Sequence, residues 1–331
     1  MRLSNPDKIY FPDRGITKRQ VVEHYVAVGE PLLAVLRDRP THLKRFVDGV
    51  TGEPFYQKRV PKGAPDWVDT VEVRFPSGRA AVEICPTEPA VLAWAANLGT
   101  FDFHPWPVRR PDVDAPDELR IDLDPQPGTD FADAARVAAV LREVLSDAGL
   151  EGWPKSSGGR GLHVMVPIRA EWDFVATRRA VIALARETCR RVPEQATVSW
   201  WKEERGERVF LDFNQAARDR TIASAWSVRG TPRATVSFPL RWDELAGFEP
   251  DDADVLTAAG LLAERGDAHA GLHDAPAGIE TALEWVARDE RDEGLGDLPY
   301  PPEYPKMPGE PKRVQPSKAR ADTPGKSAAG P

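Results

Sequence analysis

Asp122 and Asp124 stand two residues apart in Arg120-Ile121-Asp122-Leu123-Asp124-Pro125. As a strand, this stretch sends Ile121 and Leu123 to one face and both carboxylates to the other. Two acids so placed repel each other unless water screens them or a cation lies between them. A hard divalent ion such as Mg²⁺ or Mn²⁺, which takes oxygen ligands, is one occupant, and a solvated acidic edge strand is the alternative. Val209-Phe210-Leu211-Asp212-Phe213 adds a third carboxylate within an otherwise apolar run. Burying Asp212 there is costly unless it is paired or metal-bound. Beside Asp122 and Asp124 it would complete a cluster able to hold two divalent ions, as phosphoryl transfer requires.

A glycine-rich loop feeds the strand in Lys155-Ser156-Ser157-Gly158-Gly159-Arg160-Gly161-Leu162-His163-Val164-Met165-Val166. The glycines let backbone N–H groups turn toward an anion, and Ser157, Arg160 and His163 add side-chain donors. No Gly-Lys-Ser/Thr follows, and a strand comes where a dinucleotide fingerprint would begin a helix, so neither familiar phosphate loop applies. A tight hairpin accounts for the glycines equally well but leaves His163 unexplained.

The elements that must position these residues can be read around them. Thr17 is an N-cap for an amphipathic helix over 18–36, which Pro31 should break or kink. Thr41–Phe46 alternates as a strand, and Pro54–Arg59 interleaves Phe55 and Tyr56 with cations, either for bases and phosphates or as plain core. Residues 88–98 have a helical pattern with Trp94 on the apolar side, and 111–118 form a loop between lobes. Asp130 caps a helix over 131–147, and Leu162–Ile168 and Phe174–Arg191 give a strand and a helix. Residues 199–202 and 208–213 are expected to form a hairpin, and residues 251–264 and 278–292 to form helices behind the sheet. Alternating strands and helices predict an open α/β sheet with its carboxylates on one face. From 294 to 331 the composition turns to Pro, Lys, Ser and Gly without apolar periodicity, the pattern of a disordered tail.

The chain of 331 residues suits one large catalytic unit. Its two cysteines, Cys85 and Cys189, make neither a zinc site nor a disulfide framework. With no signal-peptide pattern and no long apolar run, a cytoplasmic protein without a membrane partner is expected. The net charge of −8 argues against a nucleic-acid partner until it is mapped. Residues 1–62 hold 12 Lys and Arg against 7 Asp and Glu, whereas 243–297 hold 3 against 16. A basic first segment and an acidic last one are compatible with DNA held on one side, since the local field does the steering.

The order Asp-Leu-Asp, Ser-Gly-Gly-Arg-Gly-Leu-His, Leu-Asp-Phe resembles the three motifs of the archaeo-eukaryotic primase superfamily. More narrowly, it resembles the polymerase module of bacterial ligase D and its stand-alone primase-polymerase relatives, from Leu3-Ser4-Asn5-Pro6-Asp7-Lys8 to about residue 290. The resemblance implies a two-lobed α/β (α+β) fold. An RRM-like catalytic sheet, antiparallel or mixed, over about 116–240 would sit beside a smaller N-terminal lobe over about 1–115. An acidic helical end would run over about 241–293, closing a catalytic domain of 1–293.

It also implies roles for individual residues. Asp122, Asp124 and Asp212 would be catalytic and bind two Mn²⁺ or Mg²⁺ ions. Lys44, Phe55, Tyr56, His104, Ser157, Arg160, His163, Gln215, Arg220 and Arg229 would line the site for an NTP or dNTP. Asn5, Lys8 and Lys18 would recognise a DNA 5′-phosphate. Arg160 and Arg220 stand where the family often has lysine, so a planar guanidinium replaces a point charge. Tyr56 stands where Phe is common. The implied activity is template-directed nucleotidyl transfer, with a taste for ribonucleotides, at gaps, overhangs or 5′-phosphorylated ends in DNA repair. A stand-alone monomer is expected, with a Ku-type end-binding protein and a separate DNA ligase as partners. A metal-dependent nuclease or phosphoesterase, and a non-catalytic DNA-end binding module, are the rival readings.

Overall fold

The chain opens with a short antiparallel pair, β1 (Ile9–Phe11) and β2 (Ile16–Thr17). Thr17 then caps α1 (Lys18–Ala27): its hydroxyl accepts from the Gln20 N–H, and the Gln20 side chain accepts from the Thr17 N–H. The expected single helix ends ahead of Pro31. It stops at Val28, and a second helix, α2 (Gly29–Leu36), carries Pro31 in its first turn, where a missing N–H costs nothing. There follow β3 (Thr41–Arg45), β4 (Phe55–Gln57), β5 (Thr70–Arg74), β6 (Ala80–Ile84), α3 (Pro89–Asn97) and β7 (Thr100–Pro105). The first large sheet runs β4-β3-β6-β5, and β7 also pairs with β3.

The second half comprises β8 (Glu118–Pro125), α4 (Phe131–Asp147), β9 (Trp153–Ser156), β10 (Leu162–Pro167), α5 (Phe174–Arg191), β11 (Ala196–Thr197) and β12 (Val209–Asp212), then α6 (Ala258–Arg265) and α7 (Glu280–Glu293). Its sheet runs β11-β12-β8-β10-β9 and is antiparallel except where β11 meets β12. That exception corrects the expected hairpin. Ala196 and Thr197 pair in parallel with Val209 and Phe210, so the chain between must travel back along the strand before pairing. Arg205 fills the resulting loop, donating to the Ser199 and Trp200 carbonyls with its guanidinium 3.5 Å from the Phe210 ring centre.

Period-two alternation in β8 divides the molecule. Leu119, Ile121 and Leu123 are fully buried, in one apolar cluster with Val137, Leu141 and Val144 of α4 and Val181 and Leu184 of α5. On the other face, Arg120 pairs with Glu118 at 2.6 Å and donates to the Pro105 carbonyl of β7. The polar side of the second sheet therefore looks toward the first. The apolar cluster also takes in Phe46 and Phe101, whose rings stack at 4.5 Å, so both halves share one core.

Helix α7 packs on α5, outside the sheet. Helix α6 is shorter than expected because Pro250–Asp252 forms its own tight turn, and it lies against α1. The computed structural model describes residues 2–300. The tail expected from 294 lies outside the described residues from 301 onward. Before that, the Gly296 and Leu298 carbonyls accept from Arg186 and Arg178, and Asp297 from Arg179, so the segment 296–298 is held on α5. No helix among the described residues is long and apolar enough to cross a membrane.

Because β8 anchors both layers, Leu123→Ala should lower the unfolding free energy by about 2–5 kcal/mol, read from urea denaturation midpoints. A loss below about 1 kcal/mol would mean that the strand is not the centre of the core.

Candidate active site

Strand register puts one row of polar residues across four strands. Asp212 of β12 faces Asp122 of β8, Asp122 faces His163 of β10, and His163 faces Lys155 of β9. Directly opposed residues share a face, with Cβ atoms about 4.5–5.5 Å apart. Asp124 is on that face by its two-residue offset. The sheet thus brings the three candidate carboxylates and His163 together.

Each carboxylate has its own polar neighbour, though only those of Asp124 and Asp212 are hydrogen-bonded. The His163 Nε2 atom lies 3.4 Å from Asp122 Oδ1, and the Gln126 amide donates to Asp124 Oδ2 at 3.3 Å. Asp212 accepts from the Asn214 N–H at 2.9 Å and from the Gln215 amide at 3.0 Å. Burial, then the neighbouring charges of Asp212 and Asp124, pushes the Asp122 carboxyl well above the usual carboxylate range. Burial also raises Asp212, with the donors Asn214 and Gln215 working against the shift. Among the described residues, no three His, Cys, Asp or Glu side chains are drawn tightly enough to cage an ion as they stand. The ligand set nonetheless fits a hard divalent cation. It is all oxygen, its charges repel, and the carboxylate oxygens keep lone pairs beyond the hydrogen bonds they accept.

Behind the carboxylates, Lys155 is buried, with Nζ 2.7 Å from His163 Nδ1 and 2.6 Å from Ser237 Oγ. Burial, aided by the like charge of Arg229, lowers the Lys155 pKa well below the ordinary lysine value. Burial and Lys155 together lower that of His163, leaving its imidazole neutral at pH 7. His163 is only 5% exposed, but its surroundings are polar rather than apolar.

The glycine loop joins β9 to β10. Ser157 Oγ accepts from the Gly159 N–H, and Gly158 sits at φ 73°. A Cβ at Gly158 would fall 2.3 Å from Arg229 Cγ, so only glycine lets that arginine pass. Arg160 is exposed beside the loop. From the first sheet, Lys44 lies 5.6 Å from the Tyr56 ring centre, and Tyr56 meets His104 edge-on at 5.3 Å. Phe55 and Tyr56 are exposed, as stacking platforms must be and core residues are not. Arg220 is half-buried, near enough to Asp212 to offset part of its shift. Gln215 lies on the turn just after Asp212, partly exposed, and its amide donates to that carboxylate.

The three residues expected at a 5′-phosphate form a separate group at the start of the chain. The Lys18 N–H donates to the Lys8 carbonyl at 2.8 Å, which sets the two lysines side by side. Lys18 Nζ donates to Ser4 Oγ, and Lys8 Nζ to Asp48 Oδ1, both at 2.8 Å. Burial, then the charge of Lys8, lowers the Lys18 pKa. Asn5 turns the chain at φ 46°.

Sequence reasoning missed Asp102, Lys155, Ser237 and Gln126. Asp102 had a readable signal, since Thr100-Phe101-Asp102-Phe103-His104 alternates just as β8 does. Lys155 and Ser237 had none, because only strand register reveals the partner of the first and a long loop delivers the second.

The family model for the LigD primase-polymerase domain matches residues 17–269. The multifunctional non-homologous end joining protein LigD of Mycolicibacterium smegmatis is 32% identical over 312 residues, covering 92% of this chain and 40% of that protein. The bifunctional non-homologous end joining protein LigD of Bacillus subtilis is 30% identical over 246 residues, covering 74% and 39%. The chain therefore spans about two fifths of the length of these relatives. Among solved structures, the polymerase domain of Mycobacterium tuberculosis ligase D in complex with DNA superposes with a TM-score of 0.75 at 28% identity. That match covers 82% of this chain and 97% of the other.

The raised Asp122 pKa has a measurable sign. Its folded form holds a proton more tightly than its unfolded form, so this stability is present in acid and lost as pH rises through the raised value. In chelator at pH 7, Asp122→Asn should therefore melt above the wild type, with the gap closing in acid. Mn²⁺ should raise the wild-type melting temperature more than that of the variant. Equal melting of the two proteins in chelator at pH 7 would refute the charge-repulsion account.

Proposed function

This chain belongs to the LigD primase-polymerase family and is a nucleotidyltransferase; on that premise we propose that it extends primer ends and fills short gaps at 5′-phosphorylated DNA breaks. The row Asp212–Asp122–His163 beside a glycine loop is the observation that carries this reading. Carboxylates alone suit a nuclease equally well. A loop and cations gathered opposite them suit a triphosphate, which a nuclease does not bind.

Asp122, Asp124 and Asp212 would hold two divalent cations, Mn²⁺ or Mg²⁺. Bound there, such ions would lower the pKa of a primer 3′-hydroxyl and offset charge on the reacting phosphorus. Gln126, Gln215 and the Asn214 N–H orient the carboxylates. Lys44, Ser157, Arg160, His163, Arg220 and Arg229 would take the triphosphate oxygens, His163 as a neutral ring. Phe55 and Tyr56, with His104 behind them, would stack on a base. Asn5, Lys8 and Lys18 would receive the 5′-phosphate across the gap. Lys18 suits that task because it is buried with its Nζ on Ser4 Oγ and has no carboxylate partner among the described residues, so an incoming anion meets an uncompensated charge. The ribonucleotide preference and the Ku-type and ligase partners remain part of the same reading, supported by the family alone.

Incubation with primer-template, Mn²⁺ and labelled ribo- or deoxyribonucleotides decides between the classes. Primer lengthening supports the polymerase, shortening supports the nuclease, and DNA binding without either supports the end-binding module. Asp122→Ala should abolish extension while leaving DNA affinity within about twofold, and a variant that still extends would overturn the assignment. In a separate measurement, Lys18→Met should reduce the preference for gapped duplex bearing a 5′-phosphate over the same duplex without it. An unchanged preference would remove this group from the DNA site.

A further inference from the structure

Asp102 lies in β7, fully buried, two residues before His104 and therefore on the same face. Three groups from separate stretches converge on its carboxylate. Lys44 Nζ of β3 is 3.6 Å away, His104 Nε2 is 3.8 Å away, and Arg229 Nε is 3.5 Å away. These are ion-pair distances, too long for hydrogen bonds. Among the described residues, both Asp102 oxygens and both His104 ring nitrogens are buried with no partner at ordinary hydrogen-bond distance. A buried carboxylate left in that state is costly, and only the surrounding positive charge sustains it. Burial opposes the charge on Asp102, but Arg229, His104 and Lys44 outweigh it and hold the carboxyl below its usual range.

The exposure gradient shows which way the cluster faces. Lys44 and Arg229 keep 23% and 25% of their side chains exposed, whereas Asp102 beneath them has none. A ligand in the cradle would meet the two cations and never the carboxylate. Without Asp102, Lys44 and Arg229 would confront each other with no counter-charge and spread apart. With it, they stay gathered, yet neither is locked by a hydrogen bond that a phosphate would have to break. Preorganised charge of this kind spares reorganisation when the ligand arrives.

We propose that Asp102 is the positioning residue of the nucleotide cradle, holding Lys44, His104 and Arg229 from below so that all three address one triphosphate. The inference rests on the reading of this site as one for a nucleoside triphosphate. Asp102→Asn, in the full chain, keeps the shape and removes the charge. Its KM for the incoming nucleotide in primer extension should rise about tenfold or more, with a smaller change in kcat and unchanged affinity for gapped DNA. An unchanged nucleotide KM would overturn the proposal. So would parallel losses in KM, kcat and DNA affinity, which mark a merely structural residue. If Asp102→Asn does not fold, the double variant Asp102→Asn with Lys44→Met removes one charge of each sign. Its nucleotide KM should rise above that of Lys44→Met alone, because His104 and Arg229 still lose the carboxylate that gathers them. A KM equal to that of Lys44→Met alone overturns the proposal, as does a double variant that also fails to fold while Lys44→Met folds. Failure of the wild type to extend any primer would instead refute the triphosphate reading itself.

Discussion

Like charges held on one face of a half-buried sheet are the constraint that the rest of the molecule answers. Asp212, Asp122 and Asp124 share that face by strand register alone, and the largest cause of the raised Asp122 carboxyl is loss of water, ahead of its neighbours' charge. Such a cluster is tolerable only if the frame beneath it is strong enough to absorb the cost. Leu119, Ile121 and Leu123 supply that strength, each fully buried among residues of α4 and α5. One strand therefore carries both the best-packed and the least comfortable side chains of the fold. That coupling is what two-residue periodicity makes possible.

The same device occurs a second time with the signs arranged differently. In β7, Phe101 and Phe103 enter the core while Asp102 and His104 face the cradle, and β3 brings Lys44 beside them. The second sheet thus contributes the three clustered acids, and the first contributes Lys44 above a buried counter-charge. Arg229, from a loop rather than a strand, approaches between them through the space left by Gly158. On the proposed reading, a metal-bound triphosphate would take its metal ligands from the second sheet and Lys44 from the first. The shared core, and the Arg120 hydrogen bond to the Pro105 carbonyl, keep the two halves in one relation.

How much of this could be read from sequence depended on how far each signal reaches. Asp130 and Asp173 cap α4 and α5 where local chemistry places them, and the alternation of β8 is explicit in its own residues. Parallel pairing of β11 with β12 was not legible, because direction is decided by a loop whose course depends on buried Arg205. The break before Pro31 fell earlier than the proline itself, since the ring is compatible with a first turn and the chain could restart at Gly29. In the site, the acids and the glycine loop announced themselves by type. Lys155 did not, because a buried charge is recognisable only by what surrounds it, whereas Asp102 was marked by the alternation of β7. The hydrogen bond of Gln215 to Asp212 was not legible for a related reason: a side chain three residues past a carboxylate can reach back to it, and spacing does not say whether it does.

Net charge posed the sharpest conflict with an anionic substrate, and the ion pairs resolve it. The acidic residues of 243–297 are not a free field. Arg190 and Arg288 meet Asp289, Arg179 meets Glu290 and Asp297, and Arg190 also reaches Glu293. Earlier in the segment, Arg14 takes Asp254, Arg233 takes Asp251, and Arg265 takes Glu244. Much of the negative charge is thereby spent locally, in fastening α7 to α5 and the connecting loops to the rest of the chain. Paired charges cancel within a few ångströms, and salt screens what remains beyond about 8–10 Å. Lys18, Lys44 and Arg229 lie elsewhere and, among the described residues, make no such close hydrogen-bonded carboxylate pair. The acidic total and the proposed cationic cradle coexist because much of the acidic segment is paired with its neighbours, whereas Lys44 and Arg229 meet Asp102 from above and stay partly exposed.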